Sequence, residues 1–113
     1  MKTIRIKPMS VNMCWVGRRW MTPKYKAWRL EMSLKLPKLD IPKGLLKLSI
    51  EFGFSSKGSD IDNSLKSVID SLQLKYGFND NQIYELNIIK RLTSKGEEYI
   101  RFKIEAIDLI TKQ

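Results

Sequence analysis

The segment that most restricts the fold of this chain is LLKLSIEFGF, residues 45–54. Every second position is apolar: Leu46, Leu48, Ile50, Phe52 and Phe54. Successive side chains of a β-strand point to opposite faces, so these five share one face. The segment therefore predicts a strand with one buried side. Other elements must cover that side, because an apolar sheet face is stable only when it packs against another layer.

Two helices are predicted to provide this cover. Thr22 and Pro23 are typical of a helix start, with Thr as the N-cap and Pro at the first position. The apolar stripe that follows has helical spacing and ends before a proline: Tyr25, Trp28, Met32 and Leu36. A second helix is predicted from Asp62 to Tyr76, with Gly77 as its C-terminal cap. Its apolar face consists of Leu65, Val68, Ile69 and Leu72.

The other segments complete an α+β domain. Residues 3–7 alternate and predict a short strand, and residues 9–21 show no clear period and are interpreted as a loop. Residues 83–92 and 97–107 also alternate, and the TSKG between them predicts a β-hairpin. The order β-α-β-α-β-β describes a single mixed β-sheet with two helices, in one domain over residues 1–113.

Charge is distributed unevenly along the chain. Residues 1–49 contain 12 Lys or Arg against 2 acids, whereas residues 50–113 contain 9 Lys or Arg against 10 acids. A strongly basic half is typical of a protein that binds a polyanion, and nucleic acid is the interpretation we favour. The basic side chains near the first helix and before the second are the candidates for phosphate contact: Arg18, Arg19, Lys24, Lys26, Arg29 and Lys57.

Composition excludes several chemistries. The chain has no histidine, so catalysis by a His base and His-ligated metals are excluded, and carboxylates, lysine, hydroxyls or an oxygen-bound hard metal ion remain. Cys14 is the single cysteine, which excludes a disulfide framework and fits a reducing cytoplasm. No apolar run approaches the roughly 20 residues that cross a bilayer, and the N-terminus lacks the apolar run of a signal peptide. We therefore expect a cytoplasmic protein without a membrane partner.

Three aspartates and a lysine are the candidate catalytic residues. Asp60 and Asp62 follow the buried strand, and side chains two residues apart in an extended segment share a face and can bind one ion. Asp80 follows the second helix, and a helix that packs back on the sheet is expected to return it to the same end. Acids within a basic DNA-binding protein repel the ligand unless a cation lies among them, so a metal site is the economical explanation.

A simpler interpretation stays open beside it. Asp60 or Asp62 can cap the second helix, which contributes about 0.5–2 kcal/mol. Asp62 and Lys66 also form an i, i+4 pair that supports a helix by a few tenths of a kcal/mol. On that interpretation the chain is a non-catalytic nucleic-acid-binding module.

These polar residues also carry a resemblance. DIDNSLKSVID at residues 60–70 and FNDNQI at residues 78–83 resemble the RusA family of Holliday-junction resolvases, with its D-x-D-N-x-x-K-x-x-x-D signature and a further aspartate before x-Q-I/V. The opening KPMSVN at residues 7–12 is similar to the P-x-S-x-N opening of that family. The match covers nearly the whole chain in length and element order, and residues 60–83 are its specific part. One departure is Asn79, where the family often has the first of two aspartates.

The resemblance implies a homodimeric endodeoxyribonuclease, usually phage- or prophage-borne, that resolves four-way DNA junctions by paired symmetric cuts. It implies Mg²⁺ as the cofactor, with Mn²⁺ as an alternative, and no small-molecule cofactor. By position, Asp60, Asp62 and Asp80 correspond to the metal-binding carboxylates and Lys66 to the essential lysine. Asn12 and Asn63 become candidates for DNA contact, although a structural role for Asn63 stays open, as does the role of Asp70. A nuclease for another branched or RNA substrate is the remaining alternative.

Overall fold

The structure, a computed structural model, describes residues 1–17 and 20–107. The element order of the prediction is confirmed, and the domain is α+β. The described strands are β1 (Lys2–Ile4), β2 (Trp15–Val16), β3 (Trp20–Met21), β4 (Leu46–Phe54), β5 (Ile83–Leu92) and β6 (Tyr99–Ala106). The helices are α1 (Pro23–Lys35) and α2 (Ile61–Tyr76), and two short 3₁₀ turns cover Val11–Met13 and Asp80–Gln82.

Strand β4 lies inside a mixed four-stranded sheet with the order β1-β6-β4-β5. It pairs with β5 in parallel and with β6 in antiparallel orientation, and β1 pairs with the far side of β6. The parallel pair β4–α2–β5 is a crossover unit, since parallel neighbours need a connection that returns to the starting end of the sheet. The order of the sheet therefore sets which ends of α2 and β5 meet.

The predicted hairpin between the last two strands is wrong. Strand β4 lies between β5 and β6, so the two alternating segments never pair with each other. The connecting residues 93–98 cross the end of β4, where the Thr93 amide donates to the Phe54 carbonyl at 2.8 Å. Two strand spacings are about 9.5 Å, a distance that six residues span easily. Strand β4, which is the most apolar, lies inside the sheet because a neighbouring strand can pair with each of its edges there.

Residues 9–21 are also more regular than the predicted loop. A 3₁₀ turn is followed by a two-stranded ribbon, in which Trp15 pairs with Met21 and Val16 with Trp20. Gly17 lies at the tip with φ of 67°, a left-handed conformation that favours glycine. Arg18 and Arg19, two of the predicted DNA contacts, lie outside the described residues.

Both helices cover the face of the sheet that the alternation in β4 predicts. The buried residues of α1 are Tyr25, Trp28 and Met32, and α2 contributes Val68 and Leu72 to the same core cluster. The caps are also as predicted: Thr22 Oγ1 accepts from the Tyr25 amide at 3.1 Å, and Gly77 adopts a left-handed φ of 75°. Within the described part of the chain no helix is long and apolar enough to cross a membrane.

The opposite face of the sheet is polar, with one tightly packed exception at its centre. Gly53 pairs with Tyr99, and the tyrosine ring lies where a side chain on Gly53 would begin. The Tyr99 hydroxyl donates to Glu51, which also forms an ion pair with Arg101 at 3.4 Å. The glycine is therefore required because the aromatic ring covers it directly.

We predict that Gly53→Ala destabilises the domain by about 1–3 kcal/mol, because the added methyl collides with the Tyr99 ring in a packed sheet. Chemical denaturation followed by tryptophan fluorescence measures the change. Gly58→Ala is the matched control, since an added Cβ there meets nothing closer than Ser56 Oγ at 3.8 Å. Equal stability of the two variants would contradict this interpretation of the ring contact.

Candidate active site

Asp60 lies at the junction between the loop after β4 and the start of α2. Its backbone is extended, with φ of −108° and ψ of 130°, and its Oδ1 accepts from the Asp62 amide at 3.1 Å. Asp60 is therefore the N-cap of α2, as the simpler interpretation predicts. Because the helix begins at Ile61, Asp62 lies in the first helical turn. The expectation that the two aspartates share the face of an extended segment is wrong for this reason.

Lys66 points toward the C-terminal side of its own helix. Its ammonium lies 3.8 Å from Asp70 Oδ1, so the ion pair that forms is with Asp70 and the predicted pair with Asp62 is not observed. The Lys66 side chain is 68% exposed. Such an exposed pair contributes little to stability. The ammonium can therefore turn to an anionic ligand at small cost.

Asp80 is held at the start of β5 by a compact turn. The Asn79 side chain accepts from the Asn81 amide at 3.1 Å, and the Gln82 side chain accepts from the Asn79 amide at 2.9 Å. Gln82 also donates to the Gly44 carbonyl, which fastens the turn to the loop before β4. Since the Asn79 side chain is used as a cap, Asp80 is the acid of this turn that remains for a ligand.

A groove of about 430 Å³ between α2 and β5, called here the α2–β5 groove, brings several of these residues together. Asp62, Lys66 and Asp80 line it, as does Asp70. Its walls are formed by apolar and aromatic side chains of both elements: Leu65, Ile69, Ile83, Tyr84 and Leu86. Three of the four predicted catalytic residues therefore face one groove.

The aspartates nevertheless occupy different ends of the structure. Because β5 runs parallel to β4, Asp80 precedes β5 at the end where β4 starts, whereas Asp60 follows the end where β4 finishes. The 16 residues of α2 separate these ends by about 24 Å. The expectation that the chain returns Asp80 to the end occupied by Asp60 is therefore wrong within one chain. Instead Asp80 shares two surface grooves with Asp70.

The donor set suits a hard metal ion in chemistry, because every candidate ligand is a carboxylate oxygen. Among residues 1–17 and 20–107, no three acidic or cysteine side chains lie close enough together to hold a metal ion. Mg²⁺ in nucleotide-processing sites is commonly held by one or two carboxylates, with water and substrate phosphate completing its shell. The aspartates at the start of α2 fit a site of that kind.

A second groove, of about 540 Å³, lies on the other flank of α2 near its N-terminus, since Asn63 and Ser64 line it whereas Asp62 and Lys66 line the first. Lys24 and Asn63 line it beside Asp60, so two of the predicted DNA contacts lie next to one predicted catalytic acid. Lys26 is exposed but lies two residues further along α1, about 200° around the helix, and therefore faces elsewhere. Asn12 and Lys57 are exposed, on the 3₁₀ turn and on the loop before Asp60.

The loop of residues 55–59 carries contacts that the sequence analysis missed. Ser55 donates to Glu98 at 2.7 Å, and the Gly96 amide donates to the same carboxylate at 2.8 Å. The hydrogen bond from Ser55, with that of the Gly96 amide, lowers the pKa of Glu98 below its ordinary value of 4.5. Lys90 of β5 donates to two backbone carbonyls of the loop, those of Lys57 and Ser59. The sequence did contain a signal for this contact, because Lys90 occupies a position of β5 where the alternation otherwise places apolar residues.

Cys14 does not join this chemistry. Its side chain is buried, and burial raises the pKa of the thiol above its ordinary value. A thiolate nucleophile at neutral pH is therefore disfavoured.

The family model described as endodeoxyribonuclease RusA matches residues 7–105. The chain belongs to the RusA endodeoxyribonuclease family. No curated protein matches it. The matched residues include both grooves, so the carboxylates, Lys66 and the second groove all lie within the RusA region.

Proposed function

We propose that this RusA-family protein is a Mg²⁺-dependent endonuclease that resolves four-way DNA junctions, with Mn²⁺ as an alternative ion. The observation that carries the proposal is the α2–β5 groove, where Asp62, Asp80 and Lys66 line one surface in a member of an endodeoxyribonuclease family. Aspartates and an exposed lysine in one groove match the needs of phosphodiester hydrolysis, which are a positioned water and relief of phosphate charge.

In this proposal Asp60 and Asp62 hold the metal together with the partner subunit's Asp80, because Asp80 of the same chain lies at the other end of α2. When bound, Mg²⁺ lowers the pKa of a coordinated water and withdraws charge from the phosphate. Asp60 orients the first turn of α2 through its bond to the Asp62 amide, which fixes one carboxylate relative to the other. Lys66 leaves the weak pair with Asp70 and places its ammonium against the phosphate as a point charge.

The basic half of the chain supplies affinity that does not depend on sequence. Lys24 and Asn63 in the second groove lie beside Asp60, where the strand next to the cut phosphate passes. Asn12 and Lys57 are exposed and are proposed to add contacts to phosphate. Arg18 and Arg19 are proposed to do the same, as is Lys26, although Lys26 does not line this groove. Contacts of this kind release counterions and position the backbone without reading its bases.

The working unit in this proposal is a homodimer. Strand β5 is an edge of the described sheet, and its exposed apolar side chains suit a partner: Tyr84, Leu86, Ile89 and Leu92. Asp62 and Asp80 lie toward opposite ends of the α2–β5 groove. A two-fold axis near the middle of that groove would therefore bring the partner subunit's Asp80 close to Asp62, and the reverse. Two such sites also match the near two-fold symmetry of a four-way junction.

One observation favours the alternative of a non-catalytic DNA-binding module. Asp60 already has a structural role as the N-cap, and such a role needs no metal. Cleavage of branched DNA with Mg²⁺ and none with EDTA separates the nuclease from the binding module. A nuclease for a different branched or RNA substrate is separated from a junction resolvase by cleavage of four-way junctions against flaps, linear duplex and RNA.

We predict that Asp62→Asn and Asp80→Asn each lower the single-turnover cleavage rate of a four-way junction at least about 100-fold, because each removes a charged metal ligand. Junction binding should stay equal or become tighter, since a carboxylate that faces phosphate has been removed. Asp60→Asn keeps an N-cap oxygen and should lose activity without losing the helix. Cleavage by the wild-type protein should disappear when EDTA removes the metal.

Asp40→Asn is the control for these variants, because Asp40 lies in the loop before β4 and lines neither groove. Wild-type cleavage rates in any two of the three site variants would refute the carboxylate assignment. Junction binding without any cleavage by the wild-type protein would instead leave the binding module as the function.

We predict that Lys66→Met lowers the single-turnover rate about 100-fold at saturating enzyme while junction affinity changes little, because the ammonium acts on the reacting phosphate. If Lys66 only supports its helix, the loss is below about 1 kcal/mol of stability and the rate is unchanged. Lys95→Met, in the exposed turn after β5, is the control for removal of one positive charge. A rate loss equal to that of the control would remove Lys66 from the mechanism.

We predict a dimer in solution at micromolar protein, measured by light scattering as twice the mass of one chain. Leu86→Glu should shift it to monomer and abolish paired cuts, because a charge in an apolar interface is costly. Leu34→Glu is the control, since Leu34 is also an exposed leucine but lies on α1. A monomer that cuts a junction in both strands would exclude the two-fold arrangement.

A further inference from the structure

The loop that leads into Asp60 is short, polar and exposed, yet it is held at defined points. Residues 55–58 are exposed, and the loop makes one internal turn, in which the Ser59 amide donates to the Ser56 carbonyl at 3.2 Å. Small residues such as Ser and Gly lose much conformational freedom when a loop is fixed. A catalytic carboxylate that follows such a loop therefore needs contacts from outside it.

Lys90 supplies contacts of that kind from the neighbouring strand. Its ammonium donates to the backbone carbonyl of Lys57 at 2.9 Å and to that of Ser59, directly before Asp60. The ammonium also lies 5.7 Å from the centroid of the Phe54 ring, which is buried at the end of β4. One side chain thus ties the last residue of β4 and the last loop residue before the helix cap to strand β5.

The position of Lys90 on β5 explains this reach. Lys90 is opposite Phe52 in the parallel pair, and Ile88 is opposite Ile50. Lys90 therefore projects from the face of the sheet that the helices cover, at the end where α2 begins. A lysine there places a charge on an apolar face, which is unfavourable unless its donors are satisfied. The two carbonyls accept two of its three N–H groups.

We propose that Lys90 is a positioning residue, which fixes the loop of residues 55–59 and so sets where Asp60 and Asp62 present their carboxylates. This inference rests on the proposed function for its catalytic consequence, but the fixing of the loop is independent of it. Glu98 holds the other side of the same loop through Ser55, so Lys90 acts on the end nearer the acids. Because the Lys90 ammonium donates to backbone carbonyls, its role differs from that of the lysines and arginines that are proposed to bind phosphate.

The test compares Lys90→Met with Lys103→Met in the full-length protein. Lys103 is an exposed lysine of β6 that pairs with Glu105 at 3.5 Å, so both variants lose one charge from the same sheet. Hydrogen exchange without metal is expected to be at least about tenfold faster for the amides of residues 57–62 in Lys90→Met, and unchanged in the control. Calorimetric titration with Mn²⁺ should show affinity lowered by about 10–100-fold, as for residues that orient metal ligands.

Cleavage supplies the third measurement. The single-turnover rate of Lys90→Met on a four-way junction should fall by about 10–100-fold, while junction affinity follows that of the Lys103→Met control. Lys90→Arg, which keeps the charge and has N–H donors for both carbonyls, should recover most of the exchange protection and of the Mn²⁺ affinity. If Lys90→Met does not fold, Lys90→Gln carries the same comparison, because its shorter side chain keeps polarity without the ammonium.

Two results would overturn the inference: unchanged exchange at residues 57–62, or faster exchange with Mn²⁺ affinity and cleavage equal to those of the control. A wild-type protein that binds Mn²⁺ but cuts no DNA gives a different result. It would refute the proposed function, and the loss of loop protection and Mn²⁺ affinity in Lys90→Met would still establish the positioning role.

Discussion

Burial of one face of strand β4 is the constraint on which the remaining structure depends. Five side chains at every second position have to leave water together, and they do so under both helices. At about 25 cal/mol per Å² of apolar surface, burial of this kind is the main favourable term of folding in a domain this small. The strand also has partners on both edges, which places β5 on one side and β6 on the other.

That central position determines the geometry of the candidate site. A parallel neighbour has to be reached by a crossover, so α2 runs back along the sheet and β5 starts where β4 starts. Asp60, which caps α2, and Asp80, which precedes β5, are consequently separated by the length of the helix. The groove between α2 and β5 contains Asp62, Lys66 and Asp80, while Asp60 lies outside it. The homodimer proposal follows from the same separation, because a two-fold axis exchanges the two ends.

Structural roles and the proposed chemical roles overlap at the start of α2. Asp60 caps the helix through one carboxylate oxygen, and Asn79 caps the turn before β5 in the same manner. Capping fixes the backbone on which the neighbouring carboxylates, Asp62 and Asp80, are carried. Lys90 extends this arrangement to the loop, so that strand β5 influences both ends of the site: through Asp80 at its start and through Lys90 near its end.

The sequence by itself determined the elements of this fold and the residues worth testing. Alternation in β4, the Thr22 cap and the Gly77 stop are local signals that depend on neighbouring residues, and each is found in the structure as predicted. The motif around Asp60 likewise indicated the family through residues close together in the chain. Local patterns do not determine which strands pair, because the alternation of apolar residues in a strand is the same whichever strand lies beside it. Tertiary packing decided three features: the position of β4 between β5 and β6, the distance of Asp80 from Asp60, and the hydrogen bonds from Lys90 to the loop. Each depends on contacts between segments that are distant in the chain, and these contacts determine the arrangement of lowest free energy.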